Sequence, residues 1–142
     1  MTKSTERPVK AGQVNLVKAD DLIFDRKNPR LAGYEITETT TDADIIKLLW
    51  DEMDVRELVF SMAEHGFFQY EPLIVAKEEE KLIVIEGNRR LAALRYILNP
   101  EIAEEIGGTP PDLSQDALNK LIYVPVVQSS REKIWHFLGL ST

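Results

Sequence analysis

The fold is decided by residues 82–95, which read LIVIEGNRRLAALR. Four apolar residues, a glycine and then a run of helix formers predict a buried strand that passes through Gly87 into a helix. Asn88 is the predicted N-cap of this helix, so Arg89 and Arg90 fall in its first turn. Cations are unfavourable there unless something negative binds, because the first N–H groups lack intrahelical acceptors and carry the positive end of the helix dipole. The arrangement therefore points to an anion site.

This helix start predicts a phosphate ligand in particular. Backbone N–H groups at a helix start bind phosphate, and the forked, permanently charged guanidinium groups of Arg89 and Arg90 match its oxygens. The alternative is a surface helix whose arginines pair with acidic residues of this chain. The residues of this motif alone favour neither interpretation.

The composition bounds the organisation of the chain and excludes several functions. With 142 residues, 44% of them hydrophobic, it is long enough for one globular domain with a core. A net charge of −7 works against broad, nonspecific binding to a nucleic-acid backbone. The absence of cysteine excludes a disulfide, a thiolate nucleophile and a cysteine-ligated metal. No run approaches the roughly 18 apolar residues of a membrane span and no signal peptide is recognisable, so we expect a cytoplasmic protein that does not contact a membrane.

Alternating apolar runs and helical periodicities predict an α/β fold. The first half is predicted to contain two short edge strands, two helices and a hairpin, at residues 14–17 and 22–24, 45–49 and 55–65, and 73–85. Asp42 or Asp44 is the predicted cap of the first helix. Asp54 and Glu57 have the spacing of a capping box at the second helix, which Gly66 ends.

The second half continues the alternation. The helix of the arginine motif is expected to end at Asn99–Pro100, and an acidic helix follows. Ser114 is predicted to cap a short helix, and Ser129 or Ser130 to cap the last one. The strand between them contains Pro125, which is tolerated only at a sheet edge or at a bulge.

The ends of the chain suggest its domain organisation. We expect residues 1–13 to form a flexible N-terminal segment, because they are polar and lack periodicity. Residues 14–142 are expected to form one domain, and its ending soon after an apolar helix suggests that it is cut from a longer protein.

Several blocks, in one order, resemble the ParB N-terminal-like domain of the ParB/sulfiredoxin superfamily. They are FDRKNPR at 24–30, EHG at 64–66, FFQYEPLIV at 67–75, EGNRRLAA at 86–93 and VPV at 124–126. The most specific block is similar to the Gly-Glu-Arg-Arg box of that family, with Asn88 in place of glutamate. The resemblance covers nearly the whole chain and implies a small α/β domain with a mixed sheet flanked by helices.

The resemblance also implies roles for individual residues. In partitioning proteins of this family the Gly-Glu-Arg-Arg box contacts the triphosphate of CTP, so it implies phosphate binding by Gly87, Asn88, Arg89 and Arg90. The Asn-Pro-Arg segment lies beside the nucleotide in such domains. This implies that Arg30 is a further phosphate ligand, that Asn28 gives a supporting hydrogen bond, and that Gln69 borders the pocket or anchors a loop.

Departures from the family pattern limit its activities. Sulfiredoxins need a cysteine in the corresponding loop, so this chain is not a sulfinic acid reductase. The Glu-Asn-Leu-Gln-Arg segment that helps partitioning proteins hold the metal of their nucleotide is not found. Metal-assisted nucleotide turnover would then need Glu86 or Glu71 as a substitute. We predict no resident metal site of the protein itself, because its two histidines are far apart in sequence.

Three functions follow as hypotheses. The first is a ParB-like domain that binds a nucleoside triphosphate, CTP or ATP, with or without Mg²⁺, and acts as a switch in a DNA-associated protein whose DNA contacts lie in another domain. The second is an enzyme, an NTPase, nuclease or phosphotransferase, in which Glu86 or Glu71 positions Mg²⁺ or a nucleophile. The third is a non-enzymatic module whose arginine helix binds DNA phosphates or an acidic protein. A homodimer is compatible with each.

Overall fold

Strands and helices alternate along the chain in the computed structural model, which describes residues 13–67 and 71–137 and, of residues 135–137, the backbone alone. The strands are β1 (Val14–Lys18), β2 (Leu22–Phe24), β3 (Leu73–Glu78), β4 (Lys81–Glu86) and β5 (Tyr123–Gln128). The helices are α1 (Asp42–Glu52), α2 (Val55–His65), α3 (Asn88–Leu98), α4 (Pro100–Ile106), α5 (Gln115–Asn119) and α6 (Arg131–Phe137). Short 3-10 turns span Ala19–Asp21 and Pro29–Leu31. None of the helices in this part of the chain is long and apolar enough to cross a membrane.

The strands form one mixed sheet in the order β1-β5-β3-β4-β2, which confirms the α/β prediction. The predicted hairpin is the antiparallel pair β3 and β4, and the two short N-terminal strands lie at the two edges as expected. β2 runs parallel to β4. Since parallel strands end at the same edge of a sheet, the segments that follow β2 and β4 leave the sheet side by side.

The sheet is covered on both faces. On one face Val75, Val84 and Val124 belong to the large core that the sheet shares with α1, α2 and α3. On the other face Ile134 of α6 packs against Ala76, in a smaller cluster. Because successive residues of a strand point to opposite faces, Val75 and Ala76 enter different cores. Burial on both faces explains why the predicted strands are continuous apolar runs.

The start of α1 differs from the prediction. Thr41 is its N-cap, and the Thr41 hydroxyl accepts a hydrogen bond of 3.1 Å from the backbone N–H of Asp44. The predicted caps, Asp42 and Asp44, lie inside the first turn, where their charge still favours the helix dipole.

The predicted capping box of α2 is wrong. Asp54 does precede the helix, but its backbone is left-handed, with φ of 56°, and its side chain makes no capping hydrogen bond. A capping side chain needs an extended backbone at its own residue, so the Asp54 carboxylate cannot reach the helix start. The expected end at Gly66 is confirmed, as are the caps of α5 and α6 by Ser114 and Ser130.

Pro125 does not lie in an edge strand. β5 lies between β1 and β3, so of the two positions predicted to tolerate this proline, an edge strand and a bulge, the edge strand is excluded. The register resolves the conflict, because Pro125 faces Leu16 of β1 while β3 pairs with β5 only from Val126 onward. At this residue β5 has a partner strand on one side alone, so the missing N–H of proline interrupts no ladder on the other side.

One buried hydroxyl of the core predicts a stabilising substitution. The Tyr96 side chain is 1% exposed and packs on Trp50, and its hydroxyl has no hydrogen-bond partner among the described residues. Burial raises the pKa of this phenol. We expect Tyr96→Phe to leave the free energy of unfolding unchanged or to raise it by about 1 kcal/mol, since an unpaired buried polar group costs stability. Thermal denaturation of both proteins measures this, and a loss of more than about 1 kcal/mol would show that the hydroxyl has a partner.

Candidate functional site

Three segments meet at the edge of the sheet where β2 and β4 end. They are the segment that follows β2, the start of α3, and the junction of α1 with α2. Together they enclose a pocket of about 450 Å³. It is lined by Asn28, Arg30, Leu31, Leu49, Met53, Leu58, Glu86, Gly87, Asn88, Arg89 and Arg90.

Gly87, rather than Asn88, is the N-cap of α3, which corrects the sequence prediction. The φ of Gly87 is 114°, a conformation that residues with a side chain rarely adopt. A Cβ atom at this position would clash with Cδ2 of Leu73, at the start of β3. Glycine is therefore needed for both the turn and the close packing. Arg89 and Arg90 remain in the first turn, as predicted.

The side chain of Asn88 ties the two neighbouring segments together. Its Oδ1 accepts a hydrogen bond of 3.2 Å from the backbone N–H of Asp25, and its Nδ2 donates to the carbonyl of Val84 at 2.8 Å. Both ends of the amide are thus used inside the protein. Asn88 shapes the pocket through these bonds, and its backbone N–H is among the first of the helix, which have no acceptor within the helix.

Asn28 performs a similar role in the segment after β2. Its side chain is buried, donates to the carbonyl of Ile85 at 3.2 Å, and accepts from the backbone N–H of Arg30 at 2.9 Å. These bonds fix the 3-10 turn that carries Arg30. The guanidinium of Arg30 reaches back to the end of β4, where its Nη1 lies 2.9 Å from Oε1 of Glu86.

Arg89 and Arg90 are held by backbone carbonyls. Nε of Arg89 donates to the carbonyl of Met53 at 2.6 Å, and Nη2 lies 3.4 Å from the carbonyl of Asp54. Arg90 donates to the carbonyl of Glu71, and its Cζ lies over the ring of Phe67, 6.0 Å from the ring centre. A carbonyl orients a guanidinium without neutralising it. Among the described residues Arg89 makes no ion pair, whereas the alternative interpretation expects it to pair with an acidic residue.

The pocket is positive in an acidic protein. Of the described residues, three arginines and one glutamate line it, an excess of two positive charges, whereas the whole chain carries a net charge of −7. Leu31, Leu49, Met53 and Leu58 form an apolar wall of the pocket. Sequence reasoning missed this wall, because leucines at helical spacing are indistinguishable from core residues until the junction of α1 and α2 is placed.

The segment after β2 is also anchored from the opposite side of the sheet. The carboxylate of Asp25 is 1% exposed and accepts from Nη1 of Arg131 at 2.7 and 2.8 Å, while Nη2 of Arg131 lies 2.7 Å from Glu78. Burial raises the pKa of Asp25, against the effect of Arg131, whose hydrogen bond lowers the pKa of Glu78. No sequence signal predicts this cluster, because Asp25 and Arg131 are 106 residues apart.

Seven of the nine predicted site residues thus lie around one pocket. These are Asn28, Arg30, Glu86, Gly87, Asn88, Arg89 and Arg90. Glu71 is not among the lining residues and contributes its backbone carbonyl to Arg90, and Gln69 lies outside the described residues. The roles of these residues in binding or catalysis remain predictions.

The close approach at Gly87 can be tested by a pair of alanine substitutions. Gly87→Ala adds both a strained φ and a clash with Leu73, and we expect it to lower the free energy of unfolding by about 2 to 4 kcal/mol. Gly107 is a matched control, because it also has a left-handed conformation at a helix terminus, with φ of 94°, but a Cβ atom added there would meet nothing within 4 Å. Gly107→Ala should lose only the cost of the strained φ, about 1 kcal/mol. Equal losses in urea denaturation of the two variants would contradict the packing described at Gly87.

Comparisons with known proteins found similarity in structure only. No protein-family model matches the sequence, and the search of curated proteins found no significant match. Among solved structures, the chain is similar to the C-terminally truncated chromosome-partitioning protein ParB from Caulobacter crescentus complexed with CTP-γ-S, with a TM-score of 0.46 and 16% identity. That match covers 92% of this chain but only 56% of the ParB chain. It is also similar to sulfiredoxin from Arabidopsis thaliana, with a TM-score of 0.38 and 13% identity over 89% of this chain and 97% of that one.

Proposed function

We propose that the pocket at the start of α3 binds the phosphate chain of a nucleoside triphosphate. The observation that carries this proposal is the state of Arg89, a permanently charged group in the first turn of a helix, held by carbonyls and by no carboxylate of the described residues. A cation in this place is disfavoured by the helix dipole. A phosphate would relieve that repulsion and accept hydrogen bonds from the guanidinium and from the helix start together.

The pocket offers separate surfaces for the two parts of a nucleotide. The phosphates would lie against the start of α3 and the guanidinium groups of Arg30, Arg89 and Arg90. The apolar wall provided by α1, α2 and the 3-10 turn would face the base or ribose. A volume of about 450 Å³ is within the range of ligand pockets, roughly 300 to 1,000 Å³.

The same geometry supports a switch. The groups around the pocket come from segments far apart in sequence, and each arginine joins two of them: Arg89 joins α3 to the junction of α1 and α2, and Arg90 joins α3 to the segment before β3. A phosphate chain that drew these guanidinium groups to itself would change both joints. We therefore propose that nucleotide binding is transmitted to the elements around α3, in a protein associated with DNA through another domain. The resemblance of the sequence to ParB makes CTP and ATP the first candidates.

The proposal is tested by calorimetry with CTP, ATP, GTP and ADP, with and without Mg²⁺. We expect one triphosphate to bind, and Arg89→Ala combined with Arg90→Ala to abolish measurable binding, because each charge-assisted contact contributes about ten- to a hundredfold. Arg56→Ala is the matched control. It removes one exposed arginine of α2 that packs on Phe60 and does not line this pocket.

Two results would contradict the proposal. One is the absence of binding of any of these nucleotides at millimolar concentration. The other is binding by a folded double variant with the affinity of the wild type. Circular dichroism establishes that each variant is folded, and Arg89→Lys, which keeps the charge but loses the fork, should show an intermediate affinity.

A further inference from the structure

The arginines of the pocket are not all held in the same way. Nη1 of Arg30 lies 2.9 Å from the carboxylate of Glu86, whereas Arg89 donates to carbonyls. Glu86 is the one acidic side chain among the described residues that line the pocket. The pair is accessible to solvent, with 49% of the Arg30 side chain and 32% of the Glu86 side chain exposed. The carboxylate therefore lies where an incoming anion would have to contact Arg30.

Glu86 and a phosphate cannot both make full use of Arg30. A carboxylate and a phosphate oxygen present the same chemistry to a guanidinium, a forked donor that pairs with either. The Nη1 group that Glu86 holds becomes fully available to a ligand only when this pair opens. Once released, the Glu86 carboxylate is a like charge on the wall of an anion pocket, and it repels the ligand.

We propose that Glu86 is a built-in competitor for Arg30, which occupies this arginine in the ligand-free pocket and is displaced by the bound anion. This inference rests on the proposed function of the pocket. Arg30 then has two partners: Glu86 in the empty site and phosphate in the filled one. This exchange of partners weakens the affinity of the pocket for every anion. The position of the Arg30 side chain then differs between the empty and the occupied pocket.

The competing role of Glu86 predicts whether its substitution raises or lowers the affinity for pyrophosphate. Glu86→Gln keeps the shape of the side chain and removes its charge. If Glu86 competes, this variant binds pyrophosphate more tightly than the wild type, by about three- to fivefold, as expected for the loss of an exposed ion pair. If Glu86 instead orients Arg30 for the ligand, the same variant binds more weakly. Glu104→Gln is the control, because it removes one exposed carboxylate of α4, away from the pocket.

A double-mutant cycle separates competition for Arg30 from general repulsion. In the wild type Arg30→Ala removes a phosphate contact but also an ion pair that had to be opened, so the two effects offset each other in part. In the Glu86→Gln background only the contact is lost. We therefore expect Arg30→Ala to weaken pyrophosphate binding about two- to fivefold more in that background than in the wild type.

The outcomes are distinguishable from failure of the proposed function. Calorimetry with pyrophosphate is carried out on the intact chain and its four variants. Tighter binding by Glu86→Gln, together with the larger effect of Arg30→Ala in its background, establishes the competitor. If the wild type binds pyrophosphate and Glu86→Gln binds it equally or more weakly, the competitor is refuted and the phosphate pocket stands. If neither the wild type nor Glu86→Gln binds pyrophosphate, both the competing role of Glu86 and the proposed phosphate site are refuted.

Discussion

The parallel pairing of β2 with β4 is the constraint on which the site depends. Two parallel neighbours cannot be joined by a tight turn, so the chain between them must cross over the sheet. This crossover contains α1, α2 and β3, and it brings the junction of the two helices over the edge where β2 and β4 end. The carbonyl of Met53 thereby comes within 2.6 Å of Arg89. Without this pairing, the segment of Asn28 and the start of α3 would not share a pocket.

The charge of the pocket is opposite in sign to the net charge of the chain. A protein with a net charge of −7 repels polyanions at a distance, yet at this edge of the sheet it concentrates three guanidinium groups at the positive end of a helix. Among the described residues, neutral carbonyls rather than carboxylates orient Arg89, so no carboxylate there neutralises its charge. Such an arrangement suits an anion that enters a concave site and makes several contacts at once. It suits an extended nucleic-acid backbone less, since that would also meet the acidic surface.

The sequence predicts those features that depend on neighbours along the chain. The strand, glycine and helix of the arginine motif are local, so Arg89 and Arg90 could be placed in a first helical turn before any tertiary contact was known. The capping box at Asp54 was wrong because its spacing is a local signal, whereas the left-handed backbone of this residue is set where two packed helices meet. The ion pair between Asp25 and Arg131 could not be predicted, because it joins residues far apart in sequence that only the folded sheet brings together.

The most direct test of the phosphate pocket is to map a bound polyphosphate residue by residue. Nuclear magnetic resonance of the uniformly ¹⁵N-labelled chain, titrated with pyrophosphate, reports the backbone amides and the arginine Nε groups separately. We predict that the amides of residues 88–91 and the Nε signals of Arg30 and Arg89 shift together, with one dissociation constant. Saturable shifts confined to another part of the chain, or none at millimolar pyrophosphate, would contradict a phosphate site at the start of α3.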